Sequence, residues 1–223
     1  MNISEQFIKD LIDQGVDTFF GVQGGACARL VDNVVKYKGK FIPVLNEQSA
    51  GFYAHGYYVS SGKTAGLIFT TGPGLTNGIT GIAGCYYDRV PLVVLVGQVG
   101  KKLNIAKKTS TRMVGFQEVP HLDLCSPISD NCLKIDSEKK YFKSRNGFLS
   151  GLHSKVQVVE FLDDVQRAKI QRKFIKYKNT PNNRTKSPDK KISELIKKSL
   201  NPTIILGAGC SHESNSENLT KII

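Results

Sequence analysis

The chain has 223 residues, with 31 Lys and Arg against 19 Asp and Glu, a formal net charge of +12. Its five cysteines are widely spaced without a Cys-x-x-Cys pair and its four histidines are scattered, which favours a reduced, cytoplasmic setting and argues against a metal site. No apolar run approaches the roughly 18 residues of a membrane span, and the N-terminal twelve residues show helical spacing and an early acid where a signal peptide would have an apolar core.

In chain order, Ser4 is the expected N-cap of a first helix. The apolar run Phe41-Ile42-Pro43-Val44-Leu45 ends at Asn46-Glu47, and residues 49–58, small or aromatic, suit a buried helix, so Glu47 stands at a strand-to-helix junction. Leu67-Ile68-Phe69-Thr70 reads as the next strand. It stops at the turn Thr71-Gly72-Pro73-Gly74, ahead of a Gly-rich helix over 77–87 and a third apolar run over 92–97. Such β-α-β-α-β alternation predicts a three-layer α/β domain, its parallel sheet covered on both faces and its ligands bound at the carboxyl ends of the strands. Further on, residues 144–154 read as loop and 156–161 as a strand. The division expected is a domain over 1–170, a basic linker over 171–190 and the start of a second α/β domain over 191–223, with a helix at 192–200 and a strand at 203–206.

Charge follows the same division. Residues 1–100 carry seven basic and seven acidic side chains, whereas 134–198 carry 18 and 7. The basic stretch 167–178 reads either as a solvated linker or as a contact for nucleic acid or an acidic membrane; sparse aromatics and the absence of a nucleic-acid module favour the linker.

A lone Gly-Pro-Gly is a common turn, and a lone Glu after a strand is usually solvated. The ordered set is more specific: Phe20-Gly21-Val22-Gln23-Gly24-Gly25, Asn46-Glu47, Gly56-Tyr57, Ser61-Gly62-Lys63, Thr71-Gly72-Pro73-Gly74-Leu75-Thr76-Asn77, Pro91 and Gly97-Gln98-Val99. It resembles the pyrimidine-binding domain of thiamine diphosphate enzymes, and Phe116-Gln117-Glu118 is similar to the matching stretch of acetolactate synthases and related carboligases. The resemblance is strong over 3–133, weaker over 134–170, and returns at 201–209, which looks like the first strand of the family's central domain.

This resemblance implies that Glu47 is catalytic: a carboxylic acid hydrogen-bonded to the aminopyrimidine ring nitrogen drives the tautomer shift by which the cofactor activates itself. Such an acid is expected in an apolar pocket that raises its pKa, and no other charged residue lies between Lys40 and Lys63. By the same resemblance Gly24, Gly25, Gly72, Pro73 and Asn77 join Glu47 in binding the cofactor, while Gln23, Phe116 and Gln117 face the substrate, a 2-keto acid such as pyruvate. Gln23 and Asn46 depart from the Pro and His usual in acetolactate synthases.

The chain has no Gly-Asp-Gly motif, so only the aminopyrimidine half of thiamine diphosphate is expected here, with the diphosphate and Mg²⁺ on a partner domain in a homodimer or hetero-partner. Family enzymes carry three domains, which makes this chain read as a truncated product or half of a split enzyme. A silent remnant that pairs with a related enzyme, and a basic-tail binding protein, are the alternatives. An exposed apolar patch beside Glu47 and the helix of Asn77 would mark the subunit contact.

Overall fold

The computed structural model describes residues 1–171, 190–203, 205 and 207. Helix α1 (Ile3–Asp13) leads into β1 (Thr18–Gly21), followed by α2 (Ala28–Lys36), β2 (Lys40–Pro43), α3 (Glu47–Ser61), β3 (Ala65–Phe69), α4 (Pro73–Tyr87) and β4 (Leu92–Gln98). After the short α5 (Ala106–Thr109) and α6 (His121–Cys125) come β5 (Asn131–Ile135), α7 (Glu138–Leu149), β6 (Val156–Leu162), α8 (Asp163–Arg167) and α9 (Lys190–Lys198). The chain divides into two units, Met1–Tyr177 and Lys178–Ile223.

All six strands lie parallel in one sheet ordered β2-β1-β3-β4-β6-β5. Successive side chains on a strand point to opposite faces, and the apolar runs use both. Phe19, Ile68, Val93, Leu95, Val159 and Phe161 enter one core with side chains of α1, α2, α7 and α8. Phe20, Leu67, Phe69, Val94, Val96 and Val158 enter the other, with Ala50 and Ala54 of α3, Leu75 and Ile82 of α4, and Cys125 of α6. A sheet buried on both faces needs no polar alternation, which is why β3, β4 and β6 read as continuous apolar runs. The first unit is a three-layer α/β fold.

The first core is closed by polar anchors as well as by packing. Arg145 on α7 grips Asp10 on α1 bidentately, Nε donating to Oδ2 at 2.6 Å and Nη2 to Oδ1 at 2.7 Å, and the Tyr141 hydroxyl donates to the same carboxylate. All three side chains are buried, and burial pushes the Tyr141 hydroxyl well above its usual range, the Asp10 charge adding to it. Helix α7 itself corrects the loop expected over 144–154. Tyr141, Arg145, Phe148 and Leu149 share one buried face, but the arginine on that face interrupts the apolar pattern from which a helix is read.

Two helix starts also differ from expectation. Asn2, not Ser4, caps α1: its side chain accepts from the Glu5 amide at 2.8 Å while the Glu5 carboxylate accepts from the Asn2 amide at 2.7 Å, a reciprocal capping box. Ser4 is the second residue of the helix, its hydroxyl donating to the Gln166 carbonyl at 2.8 Å. Helix α4 begins at Pro73 rather than at Asn77, because proline's fixed φ and missing N–H suit the first helical position.

In the second unit α9 covers most of the helix expected over 192–200. Thr203 and Ile205 are in no strand, and the remainder of the strand expected over 203–206 lies outside the described residues, as does the basic linker over 172–189. Of the basic stretch over 167–178, Arg167 ends α8 and extended chain follows to Gln171, beyond which it too lies outside the described residues. Among the described residues no helix is long and apolar enough to cross a membrane.

Candidate functional site

Strand order reverses at β1: the chain runs outward from β1 to β2, then returns to lay β3 on the other side of β1. At such a reversal the loops leaving neighbouring strands diverge and open a crevice at the carboxyl ends. The loop Val22–Ala26 after β1 and the turn Thr70–Gly72 after β3 flank this crevice. They touch closely, since a Cβ on Gly24 would meet Thr70 Cβ at 2.6 Å. The Ala26 carbonyl accepts from Gln166 Nε2 at 2.8 Å, which ties the first loop to α8.

Glu47 is the first residue of α3, with Asn46 as N-cap accepting from the Gln48 amide at 2.8 Å. An acid in a helix's first turn is where the helix dipole favours negative charge. On α4, thirty residues later, Asn77 Nδ2 donates to Glu47 Oε2 at 3.1 Å. The two helices reach this distance through a glycine pair: a Cβ on Gly51 would lie 2.5 Å from Gly81 Cα, and one on Gly81 2.7 Å from Gly51 Cα.

The structure overturns one expectation about the acid. Glu47 is half-exposed, Leu45 before it is fully exposed, and on α3 only Ala50, Gly51 and Ala54 are buried. Of the apolar neighbours of Glu47 in sequence, Leu45 and Phe52 are exposed while Ala50 and Gly51 are buried, so the chain alone does not enclose the acid in the expected apolar pocket, and α3 is not the buried helix its composition suggested. Phe52, Tyr53 and Val59 are each more than half exposed along α3, and Tyr87 is exposed at the end of α4. Behind the acid, burial pushes the Cys27 thiol up to about 11, and the Glu47 charge adds to that rise.

Gly72 caps α4 with φ 65° and ψ −118°, a backbone that L side chains rarely adopt. Any Cβ there would also strike the Gln117 carbonyl at 2.7 Å, which places the turn directly against the segment that follows Phe116. Gln117 has φ 56°, unusual for a residue with a side chain, and its carbonyl lies 3.1 Å from the Thr71 hydroxyl. Pro73 and Asn77 are exposed, as are Gln23, Gly25 and Phe116. Glu47, Asn77 and Gly74 are thus brought together, Gly72 meets Gln117, and Gly24 meets Thr70, while Gln23, Gly25 and Phe116 stand at the rim.

A buried polar network under the turn was missed in the sequence. His121 Nε2 accepts from the Gly72 amide at 3.0 Å, and Nδ1 lies 2.9 Å from Glu160 Oε2. Gln98 Nε2 donates to Glu160 at 3.2 Å and to the Val119 carbonyl at 3.0 Å; Gln98 Oε1 accepts from the Thr71 hydroxyl at 3.0 Å. Lys134 pairs with the other Glu160 oxygen at 3.1 Å and donates to Asn104, whose side-chain amide donates to Glu118 at 3.0 Å. Glu118 in turn accepts from the amides of Ala106, Val114 and Gly115 and so closes its own loop. Burial alone would raise the Glu160 carboxyl, but the His121 hydrogen bond and the Lys134 charge outweigh it and hold it below the usual carboxylate range. Glu160 was the readable signal, because a carboxylate inside an apolar strand demands partners. A cavity of about 540 Å³ opens beside the network, with Asn104, Lys108, Arg112 and Lys134 on its wall.

Among the described residues no group of three or more His, Cys, Asp or Glu side chains is arranged to hold a metal ion. What the crevice offers is a carboxyl group, a side-chain amide beside it, and a turn of bare main chain: a Cβ on Gly74 would sit 2.8 Å from Thr70 Cγ2 and 3.8 Å from Glu47 Oε1. That set of donor, acceptor and bare main chain can hydrogen-bond a polar ligand that comes close to the backbone.

Residues 1–121 match the family model described as thiamine pyrophosphate enzyme, N-terminal TPP binding domain. The chain is 31% identical, over 97% of its length, to the acetolactate synthase large subunit of Buchnera aphidicola subsp. Acyrthosiphon pisum, of which it covers 38%. Over 56% of its length it is 43% identical to the acetolactate synthase isozyme 3 large subunit of Escherichia coli, covering 21% of that protein. Over a similar 56% it is 33% identical to the sulfoacetaldehyde acetyltransferase of Castellaniella defragrans, covering 20% of it. The chain therefore spans less than two-fifths of the length of these relatives.

Proposed function

Because this chain belongs to the thiamine pyrophosphate enzyme family, we propose that it supplies the aminopyrimidine half of a thiamine diphosphate site in an enzyme of acetolactate synthase type, acting on a 2-keto acid such as pyruvate. The observation that carries this reading is the meeting of Glu47 and Asn77 at 3.1 Å over the bare turn Gly72-Pro73-Gly74, at the carboxyl end of the sheet. When bound, the cofactor would supply an acidic carbon whose carbanion can add to a keto carbonyl and a ring that can take up the electron pair left by decarboxylation. Glu47 shares a proton with the aminopyrimidine ring nitrogen, and Asn77 holds the Glu47 carboxylate in place. Pro73 and the backbone of Gly72 and Gly74 would hold the ring. Gly24 and Gly25 approach from the β1 loop, with Gln23, Phe116 and Gln117 on the substrate side.

Two further assignments follow from the exposed side of this site. The 223 residues contain no Gly-Asp-Gly, so the diphosphate and its Mg²⁺ are assigned to a partner domain, since Mg²⁺ takes oxygen ligands from carboxylates and phosphates. The uncovered aromatics of α3 beside Glu47 are the surface against which a second copy or a separate chain packs, completing the apolar pocket that the acid lacks here. The first unit, over about 1–170, is the pyrimidine-binding domain, and 191–223 the beginning of a central domain.

The test is reconstitution of this chain with an acetolactate synthase relative whose own activating glutamate has been replaced. Wild-type chain restores 2-keto acid turnover, and E47Q lowers it by about 10²- to 10⁴-fold, as loss of a proton-transferring group does, with a far smaller change in thiamine diphosphate affinity. Equal turnover by E47Q would sink the role of Glu47. No turnover with wild type would favour a silent remnant.

A further inference from the structure

We propose that His121 is a positioning residue for the cofactor turn: it holds the Gly72 peptide, and through it the start of α4, in the orientation that carries Asn77 to Glu47. The inference rests on the reading of this crevice as the aminopyrimidine site and adds to it a residue that touches no part of the cofactor.

The argument begins with the Gly72 peptide. Its conformation, φ 65° and ψ −118°, is not one that a helix start enforces by itself. The Gly72 carbonyl accepts from the amides of Leu75 and Thr76, both at 3.1 Å, so the orientation of this residue sets the axis of α4 and the position of Asn77 one turn later. The Gly72 amide points into the protein, where water cannot satisfy it, and it donates to His121 Nε2 at 3.0 Å. An unpaired buried N–H is costly, so the imidazole decides where this peptide rests.

The rest of the network fixes which nitrogen accepts. The Gly72 N–H can only donate, so Nε2 must accept there, and Gln98 Nε2, which donates to Val119 and Glu160, also lies 3.1 Å from Nδ1. Nδ1 of His121 therefore carries the proton and donates to Glu160, leaving the Nε2 lone pair for Gly72. Glu160 is anchored from behind by Lys134 at 3.1 Å. Asp123, two residues along α6, Glu118, joined to Lys134 through Asn104, and Lys108 and Arg112 on the wall of the same cavity are the other charged groups near the imidazole. The ring is fully buried and held at both nitrogens, which is the arrangement of a fixed prop and not of a proton shuttle open to substrate.

Two substitutions separate the two ends of the ring. In H121Q the side-chain oxygen reaches about as far as Nε2 and can still accept from Gly72. In H121N the amide nitrogen takes the place of Nδ1, so the link to Glu160 survives and the Gly72 acceptor is lost. Hydrogen exchange at the Gly72 amide, read by NMR in the full chain without cofactor, is expected to quicken about tenfold or more in H121N, the scale of one lost buried hydrogen bond, and to stay near wild type in H121Q. In the reconstituted enzyme, H121N raises the KM for thiamine diphosphate by a similar factor with a smaller effect on kcat, and H121Q restores it. Unchanged Gly72 exchange in H121N would overturn the proposal, and so would faster exchange with an unchanged KM. The exchange comparison needs no cofactor and judges the His121 contact even where the wild-type complex is inactive, an outcome that would count instead against the cofactor reading.

Discussion

The two faces of the sheet are finished differently. On one, α1, α2 and α7 bury their apolar faces and lock them with the Arg145–Asp10 pair; on the other, α3 and α4 pack tightly on each other yet leave Phe52, Tyr53, Val59 and Tyr87 in solvent. The closed face holds the fold, and the open face carries Glu47, Asn77 and the turn. Stability and site are thus separable by mutation, which a fold with its site in a central core would not allow.

The largest separation comes from the closed face. R145A leaves the Asp10 carboxylate buried without its partner and is expected to cost about 3–5 kcal/mol in urea unfolding, with the Glu47–Asn77 pair untouched. A loss below about 1 kcal/mol would mean that α7 is held by packing alone. E160Q probes the polar anchor under the open face and should cost about 1.5–3 kcal/mol near neutral pH. Since the folded Glu160 carboxyl lies below its usual range, its contribution is full above that range and is lost as pH falls below it through the lowered folded value. The gap between wild type and E160Q in unfolding free energy should therefore close on acidification; a constant gap would show that charge is not what matters there.

G81V adds branched bulk where the α3 and α4 backbones touch and is expected to cost about 1–3 kcal/mol through overpacking. Unlike R145A it should also separate Asn77 from Glu47 and depress turnover in the reconstituted complex beyond its effect on stability. The smallest effect on the isolated chain is that of Y53S, expected within about 0.5 kcal/mol of wild type. Its consequence should appear in association, as weaker binding of the completing subunit by ultracentrifugation. A large loss of stability in the isolated Y53S chain would show that the open face is not an interface in waiting.

What the sequence disclosed follows the range of the interactions involved. Strands β3, β4 and β6 were legible because a sheet covered on both faces makes its strands uniformly apolar. The strand-to-helix junction at Glu47 and the turn at Gly72-Pro73 were legible because turns are written locally, although the helix after that turn starts at Pro73 and not at Asn77. Helix α7 was hidden by Arg145, whose partner lies 135 residues away on α1. His121 and Glu160 are separated by 39 residues and meet only because β6 lies beside β4. Leu45 and Phe52 misled in the opposite way: their proximity to Glu47 in sequence suggested an enclosing pocket, but the helix turns them outward.

The contact of Gly51 with Gly81 has a consequence for how the crevice tolerates change. Where two helices meet through side chains, their spacing drifts as those side chains are exchanged. Here main chain meets main chain, so no rotamer intervenes between α3 and α4. The separation of Glu47 and Asn77 is inherited from backbone geometry, and substitutions elsewhere in the core can accumulate without moving the two groups apart.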